Sequence, residues 1–211
     1  RKNGVKKRWA HELSAIEQGC VIIARENIFS QTQRYFNRAV ILITEHNEQG
    51  TVGLILNQPT SYTMKDMISQ DPRLTKLPGL EDNRLFMGGD VRTNRMDGMD
   101  VVNLMHARID IPGIEVIKSS LKLGGLTAAL TKIAEGNASP EEFKFFTRYC
   151  GWAPYQLAQE IAGGAWYLAA CDIETIIENH VDYQPHRLWT DILGRMGGKY
   201  ALIAKKYGLR D

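Results

Sequence analysis

The sequence of 211 residues has no long hydrophobic run. Its longest uncharged and mostly apolar stretch covers only the eleven residues 161–171, whereas a helix needs about 20 such residues to cross a bilayer. We therefore predict no membrane span. Hydrophobic residues make up 44% and charged residues 24% of the chain, as in ordinary soluble globular proteins. This composition excludes a disordered chain, a collagen-like fibre and a small disulfide-stapled domain.

Cysteine is scarce, and its three positions carry no recognisable motif. Cys20, Cys150 and Cys171 each stand in an apolar setting, and none forms a C-x-x-C pair or lies near a histidine at zinc-finger spacing. We predict three buried, reduced thiols. A nucleophilic Cys150 would need a base and an oxyanion site, and no motif supplies them.

Nucleotide and metal motifs are also missing. The chain contains neither G-x-G-x-x-G nor a P-loop, and no H-E-x-x-H, H-x-x-x-H or H-x-H spacing. A metal site assembled from His46, His106, Asp90 and Glu45 would have to join distant loops without any such spacing. We expect no cofactor and no metal.

The body of the chain lacks an excess of positive charge. Residues 1–8 hold five lysines and arginines, and residues 199–211 hold four. Residues 9–198 hold 17 basic against 23 acidic residues, a net charge of −6. Because a folded nucleic-acid-binding domain presents a basic face, this distribution predicts at most weak, salt-sensitive nucleic-acid binding through the two ends.

Apolar runs between turn residues predict a β-rich globule with helices. The predicted strands cover residues 20–24, 38–46, 51–57, 85–88, 101–106 and 165–170. Helical spacing and capping residues predict helices near residues 64–68, at 126–134, after Pro154, at 188–196 and at 200–207, with a capped turn at 139–142. Residues 143–150 fit a strand or a helix equally well. We predict one α+β domain whose strands form a single mixed sheet.

The N-terminal segment has its own pattern. Trp9, Leu13 and Ile16 stand at positions i, i+4 and i+7, the spacing of one helical stripe. We therefore predict a basic N-terminal extension over residues 1–18 that contains a short helix. Trp9 is expected to be buried against the domain, and residues 1–5 to be loosely held.

Several strings go beyond periodicity and resemble the AlgH/YqgE-like family of uncharacterised proteins. They are GCVIIA at 19–24, FNRAVILITEH at 36–46, GTVGLILNQP at 50–59, GGDV at 88–91 and YCGW at 149–152, followed by Gln156, Leu157, Glu160 and Trp166. The resemblance implies an AlgH-like α/β domain over residues 19–211, with a barrel-like, closed or nearly closed sheet flanked by helices.

Further strings look like the plant and algal plastid branch of that family. They are WAH at 9–11, AAC at 169–171, LWTDIL at 188–193 and MGGKY at 196–200. They imply a chloroplast protein whose transit peptide has been removed. The alternative location is the bacterial cytoplasm.

One string departs from the family pattern. The family usually reads Gly-Gly-Pro where this chain has Gly88, Gly89 and Asp90. Asp accepts turn conformations, so the turn can survive. A carboxylate there would change any contact that the turn makes with a ligand or partner.

The candidate interaction surface combines aromatic, glycine-rich and polar positions. Its residues are Tyr149, Gly151, Trp152, Gln156, Asn57, Gly88, Gly89, Asp90 and His46. Tyr and Trp offer a large flat area with one polar group each, which suits interfaces. The competing interpretation is that the aromatic residues pack a helix onto the sheet and that Asn57 anchors a loop.

These observations support three hypotheses of function. The leading one is a non-enzymatic plastid protein that binds a protein partner or acts as a regulatory factor. The first alternative is a small hydrolase or ligand-binding enzyme that uses His46 or His106, with Asp90 or Glu45 as acidic partner. The second is a weak nucleic-acid-linked transcriptional regulator, which follows the regulatory role proposed for the family.

Overall fold

The computed structural model describes residues 7–68, 79–92, 102–178 and 186–208. These residues form two six-stranded sheets and six α-helices. The strands are β1 (Ala10–Glu12), β2 (Val21–Ala24), β3 (Val40–Asn47), β4 (Gly50–Ile55), β5 (Pro59–Thr63), β6 (Arg84–Met87), β7 (Val102–His106), β8 (Ile114–Ile117), β9 (Leu121–Leu123), β10 (Phe143–Thr147), β11 (Cys150–Trp152) and β12 (Trp166–Cys171). The helices are α1 (Met64–Ile68), α2 (Leu126–Ala134), α3 (Gln156–Ala162), α4 (Ile173–Ile177), α5 (Arg187–Met196) and α6 (Gly198–Tyr207).

The first sheet has the order β1-β12-β2-β3-β4-β11, and all its neighbours are antiparallel. The second sheet has the order β5-β6-β10-β7-β9-β8. Its one parallel pair is β6 with β10, in which Phe86 lies opposite Phe146. The two sheets are linked through the chain between β10 and β11, which leaves the second sheet and enters the first.

The two sheets share one central core. Alternation along β3 sends Val40 and Leu42 into this core, together with Phe86 and Phe146 from the second sheet. The alternate residues of the same strand, Ile41 and Ile43, enter a separate cluster on the outer face of the first sheet. Both faces of the central strands are therefore buried, which is why these strands appear in the sequence as continuous apolar runs.

Helices cover the outer apolar face of the second sheet and the open side of the central core. On the outer face of the second sheet, Phe143 and Phe145 of β10 pack with Ala129 of α2 and Met64 of α1. Helix α5 closes the central core with Leu188, Trp189, Ile192 and Leu193. The Trp189 side chain is fully buried, and its indole N–H donates to the Ala24 carbonyl over 2.8 Å.

All six predicted strands are present, and the helix predicted at 126–134 has those bounds. The capped turn is also confirmed, because the Ser139 N–H donates to the Glu142 carboxylate over 2.8 Å. The ambiguous segment 143–150 contains a strand, β10, which pairs with β6 and β7.

The prediction of a single sheet is wrong. Strands 85–88 and 101–106 belong to the second sheet, because β10 lies between them and bonds to both. Within the described ranges no closed barrel is found, since each sheet has two end strands. The chain nevertheless remains a mixed α+β fold with the two sheets packed on one central core.

The prediction of an N-terminal helix is also wrong for the part that the structure describes, residues 7–18. Residues 10–12 form β1 on the edge of the first sheet, paired with β12. Trp9 remains 45% exposed and stacks on His11, with ring centroids 5.2 Å apart. Leu13 and Ile16 are half-buried against the outer cluster of the first sheet. Residues 1–5 lie outside the described residues.

Asp172 fixes this segment as a strand. Its carboxylate accepts from the Trp9 N–H over 2.8 Å and from Thr175, and its own N–H donates to the Trp9 carbonyl over 3.2 Å. Burial acts to raise the pKa of Asp172, but these hydrogen bonds outweigh it and leave the pKa below its usual value. The backbone of Trp9 is thus held in place while its side chain points to the surface.

No helix among the described residues is long and apolar enough to cross a membrane.

The two tryptophans should differ sharply in their effect on stability. We expect Trp189→Ala to cost about 3–5 kcal/mol in the free energy of unfolding, because it empties a fully buried site. Trp9→Ala should cost less than about 1 kcal/mol, since nearly half of that side chain is exposed. Urea unfolding of both variants measures the contrast, and equal losses would contradict the placement of Trp9.

Lys144 is a charged residue inside the central core. It is 2% exposed, its Nζ lies 4.5 Å from the centre of the Phe86 ring, and it donates over 3.5 Å to the Glu178 carbonyl. Burial lowers the pKa of Lys144 to about 7, and the charge of Glu178 opposes this shift only in part. The folded protein therefore favours a neutral amine at this position.

This burial predicts a pH-dependent stability. Between about pH 7 and the usual lysine pKa, the unfolded chain binds a proton at Lys144 that the folded chain does not. The contribution of Lys144 therefore rises with pH by about 1.4 kcal/mol per unit in that window. Lys144→Met should remove this slope and stabilise the protein by a few kcal/mol at neutral pH. Urea unfolding of both proteins from pH 6.5 to 9 tests this, and parallel pH profiles would contradict it.

Candidate functional site

The chain turns sharply between β11 and α3, and we call residues 150–160 the β11–α3 corner. Tyr155 has a φ of 64° and an 82% exposed side chain. Gln156 closes the turn, since its side-chain oxygen accepts from the Ala153 N–H over 3.0 Å. A non-glycine residue in the left-handed region is uncommon and is held there by its surroundings. The corner therefore presents Tyr155 to solvent in a defined position.

One carboxylate organises the corner from inside. Glu160 accepts from the indole N–H groups of Trp152 and Trp166, over 3.0 and 2.8 Å. Its other oxygen accepts from the Gln156 amide over 3.0 Å. Trp152 and Trp166 are buried, at 7% and 3% exposure, so these bonds satisfy donors that would otherwise be buried without a partner. Glu160 thereby fixes helix α3 to two strands of the first sheet.

A cleft of about 320 Å³ opens beside this carboxylate, and we call it the aromatic cleft. It is lined by Phe29, Gln33, Phe36, Asp90, Cys150, Gly151, Trp152, Gln156, Glu160 and Ala165. Asp90 lies on its exposed side and accepts from the Tyr35 hydroxyl over 3.2 Å. Four predicted site residues, Asp90, Gly151, Trp152 and Gln156, therefore meet in one cleft. Trp152 meets them as a buried packing residue.

Tyr155 and other residues of the same corner line a second cleft. It has a volume of about 520 Å³ and is lined by Ala15, Ile16, His46, Asn47, Glu48, Thr51, Pro154, Tyr155, Leu157 and Ala158. The His46 Nδ1 lies 2.7 Å from the Thr51 hydroxyl across the β3–β4 hairpin. Of the nine predicted site residues, His46 alone lines this second cleft.

The glycine pair beneath the aromatic cleft serves close packing. The Gly88 N–H donates to the Thr147 carbonyl over 2.7 Å, and its carbonyl accepts from Ile55 over 2.8 Å, so Gly88 bonds to both sheets. A Cβ on Gly89 would lie 2.1 Å from the Tyr149 carbonyl group. Any larger residue would push this backbone away from the chain between β10 and β11.

Two further predicted residues are structural in their contacts. Asn57 is 1% exposed, accepts from the Val40 N–H over 2.8 Å and donates to the Arg38 carbonyl over 2.9 Å. It anchors the start of β3, as the loop-anchor interpretation expects. Tyr149 is half-buried against the central core. Neither residue lines the aromatic cleft.

The two histidines of the hydrolase hypothesis do not converge. His106 is fully buried at the end of β7 in the second sheet, where its Nδ1 accepts from the Arg108 N–H over 3.2 Å. Burial lowers the pKa of His106. His46 stands at the surface of the first sheet, and the adjacent Glu45 accepts from the Asn47 amide instead. No catalytic acid–base pair is formed by these groups.

The thiols are buried, as predicted. Burial raises the pKa of Cys20 to about 11 and that of Cys171 to about 12, and it raises the pKa of Cys150 above both. A thiol with a raised pKa is a poor nucleophile at neutral pH. Among the residues that the structure describes, no group of three or more His, Cys, Asp or Glu side chains could hold a metal ion.

Sequence patterns do not single out several residues that shape the site. Tyr155 stands between helix signals without a motif, and its exposure follows from the turn alone. Phe29 lies in a polar, turn-like stretch that ends at Arg34, and Phe36 opens the string at 36–46, yet periodicity marks neither as a site residue. Both are buried and line the aromatic cleft. An aromatic residue within a polar stretch was the available signal for Phe29.

Comparison with known proteins gives consistent matches along most of the chain. A family model described as AlgH-like matches residues 22–201. A UPF0301 protein of Chlorobium limicola is 32% identical over 92% of this chain and 94% of its own length. A UPF0301 protein of Chlamydia felis is 32% identical over 90% of this chain and 91% of its own.

Two solved structures share the fold. A protein from Corynebacterium diphtheriae superposes with a TM-score of 0.67 at 23% identity, over 92% of this chain and 94% of the other. The AlgH protein of Pseudomonas aeruginosa superposes with a TM-score of 0.64 at 21% identity, over 90% of this chain and 96% of the other.

Removal of the organising carboxylate should destabilise the corner. We expect Glu160→Ala to cost about 2–4 kcal/mol in the free energy of unfolding, because it leaves two buried indole N–H groups without an acceptor. Glu160→Gln should cost less, since it keeps one oxygen for the indoles. Gln159→Ala, an exposed neighbour on the same helix, is the control. Urea unfolding measures all three, and a Glu160→Ala variant as stable as the control would contradict this role.

Proposed function

We propose that this chain, which belongs to the AlgH-like family, is a non-enzymatic protein that docks on a protein partner through the β11–α3 corner. The observation that carries the proposal is the exposure of Tyr155, which lines the second cleft on a corner whose Trp152 and Gln156 line the aromatic cleft. Its ring is 82% exposed on a backbone held in the left-handed region. Exposed aromatic residues on rigid supports are typical anchors of protein interfaces.

The surroundings of Tyr155 support an interface. Pro154 lines the second cleft beside the ring, together with the apolar Ile16 and Leu157. The aromatic cleft, which Trp152 and Gln156 of the same corner line, adds polar groups. An apolar centre between polar groups is the usual composition of a protein-binding surface.

The rigidity of the corner also supports the proposal. The bonds of Glu160 to two tryptophans and to Gln156 hold the start of helix α3 in one arrangement. A preorganised surface loses less conformational freedom on binding than a mobile loop does. The corner is therefore suited to presenting one aromatic side chain to a partner.

The other hypotheses of function have weaker support. The hydrolase hypothesis would gain support if His46 and His106 converged on one site with Asp90 or Glu45, but the two histidines lie in different sheets. The nucleic-acid hypothesis relies on the basic ends of the chain, because residues 9–198 carry a net charge of −6 and no lysine or arginine lines the aromatic cleft. We keep protein binding as the proposed function.

A plastid location and a regulatory role form the finer part of the proposal. The plastid location rests on the strings at 9–11, 169–171, 188–193 and 196–200, which resemble the plastid branch of the family. The regulatory role rests on the role proposed for the family. The relatives named above are bacterial, and the bacterial cytoplasm remains the alternative location.

A cross-linking and capture experiment tests the docking surface. The wild-type chain, Tyr155→Ala and the matched control Tyr62→Ala are each used as bait in an extract of the source cells. Tyr62 is also an exposed tyrosine, at 57%, but it lies on β5 of the second sheet. We expect a partner that wild type and Tyr62→Ala retain and that Tyr155→Ala loses by at least tenfold.

Two outcomes would contradict the proposal. One is a chain that always elutes alone from gentle extraction. The other is a partner that Tyr155→Ala and Tyr62→Ala retain equally. Urea unfolding of the variants must show unchanged stability, which we expect because both tyrosines are exposed.

A further inference from the structure

The floor of the aromatic cleft consists of rings in tilted and edge-to-face contact. Trp166 lies behind the cleft and contacts three rings that line it. Its ring centroid lies 4.8 Å from that of Phe29, 5.3 Å from that of Phe36 and 6.4 Å from that of Trp152. These four side chains are at most 8% exposed, so they form a rigid apolar floor. Aromatic faces attract cations placed over them.

Acidic groups stand above this floor, and no basic residue lines the cleft. Glu160 is already bound by three donors, from Trp152, Trp166 and Gln156. Asp90 differs, because it is exposed and accepts the Tyr35 hydroxyl on one oxygen. A carboxylate can accept about four hydrogen bonds. Asp90 therefore keeps the capacity to bind a donor that enters the cleft.

We infer that the aromatic cleft receives a basic side chain, a guanidinium or ammonium group, from the protein partner, and that Asp90 selects its charge. The inference rests on the proposed function and names the chemistry that the partner presents. The rings would contact the flat or methylene part of the side chain, while Asp90 accepts its N–H groups. An anionic group would be repelled by both carboxylates.

The position of Asp90 makes this preference a property of this chain. Gly88 and Gly89 bring the turn close to the chain between β10 and β11, and that approach sets residue 90 at the rim of the cleft. Residue 90 of this chain supplies a charged acceptor there. Proline at the same place would leave the aromatic floor but remove the carboxylate.

Paired neutral and charged probes test the inference. N-acetyl-L-arginine amide is titrated into the full chain, and N-acetyl-L-citrulline amide, which has nearly the same shape without the charge, is the control. Binding is followed by NMR through the indole N–H signals of Trp152 and Trp166. We expect millimolar binding of the arginine probe that shifts both signals, and at least tenfold weaker binding of the citrulline probe.

Two carboxylate variants complete the test. Asp90→Asn should weaken binding of the arginine probe at least tenfold, because a charge-assisted hydrogen bond is lost. Asp82→Asn, which removes an exposed carboxylate outside the cleft, should leave binding unchanged. Equal binding of both probes, no shift of either indole signal, or equal affinity of Asp90→Asn and wild type would overturn the inference. Tighter binding of agmatine, which lacks the peptide groups, would instead favour a free amine and overturn the assignment to a protein side chain.

The inference and the proposed function can fail separately. If the partner is lost by Tyr155→Ala but retained by Asp90→Asn, the result would support the docking surface and contradict the role of the aromatic cleft. Specific binding of the arginine probe without any partner at Tyr155 would support the cleft chemistry and contradict the docking surface.

Discussion

The face-to-face packing of two sheets on one central core is the constraint on which the rest of the molecule depends. The central strands are buried on both faces, which removes a large apolar area from water. One face of each sheet lies in the central core, and the opposite apolar face must be covered by other parts of the chain. On the second sheet that cover is supplied by α1 and α2. On the first sheet it is supplied by Phe29, Phe36 and α3. The candidate site exists because this outer cover of the first sheet is incomplete at its edge.

The connection between the sheets places the site residues together. The chain passes from β10 to β11 at Arg148, which has a φ of 62°, and the turn at Gly88 and Gly89 packs against that crossing. Asp90 follows the glycines and arrives at the rim of the aromatic cleft. The same crossing carries Gly151 and Trp152 into the cleft lining. Close backbone packing between two sheets thus assembles a surface from segments 60 residues apart.

Several buried or half-buried polar side chains among the described residues connect elements of the fold. Glu160 joins α3 to two strands through indole donors, and Asp172 holds the first described residues along β12. Lys144 differs from these, since burial between aromatic rings shifts its pKa rather than pairing its charge. It is the feature of the central core whose protonation state depends on pH near neutrality.

The amino-acid sequence determined the elements that depend on local pattern. The run at 38–46 and the helix at 126–134 were predictable, because apolar periodicity and flanking glycines act within a few residues. The tertiary structure decided which sheet each strand joins, because the apolar sequence of a strand buried on both faces does not indicate which strand pairs with it. It also decided that Trp9 lies at the surface and Trp189 in the core, although both look apolar in sequence. The same holds for the candidate site. Composition indicated an aromatic and glycine-rich surface. Only the packing of distant segments brought Asp90 close to Trp152 and left Tyr155 exposed.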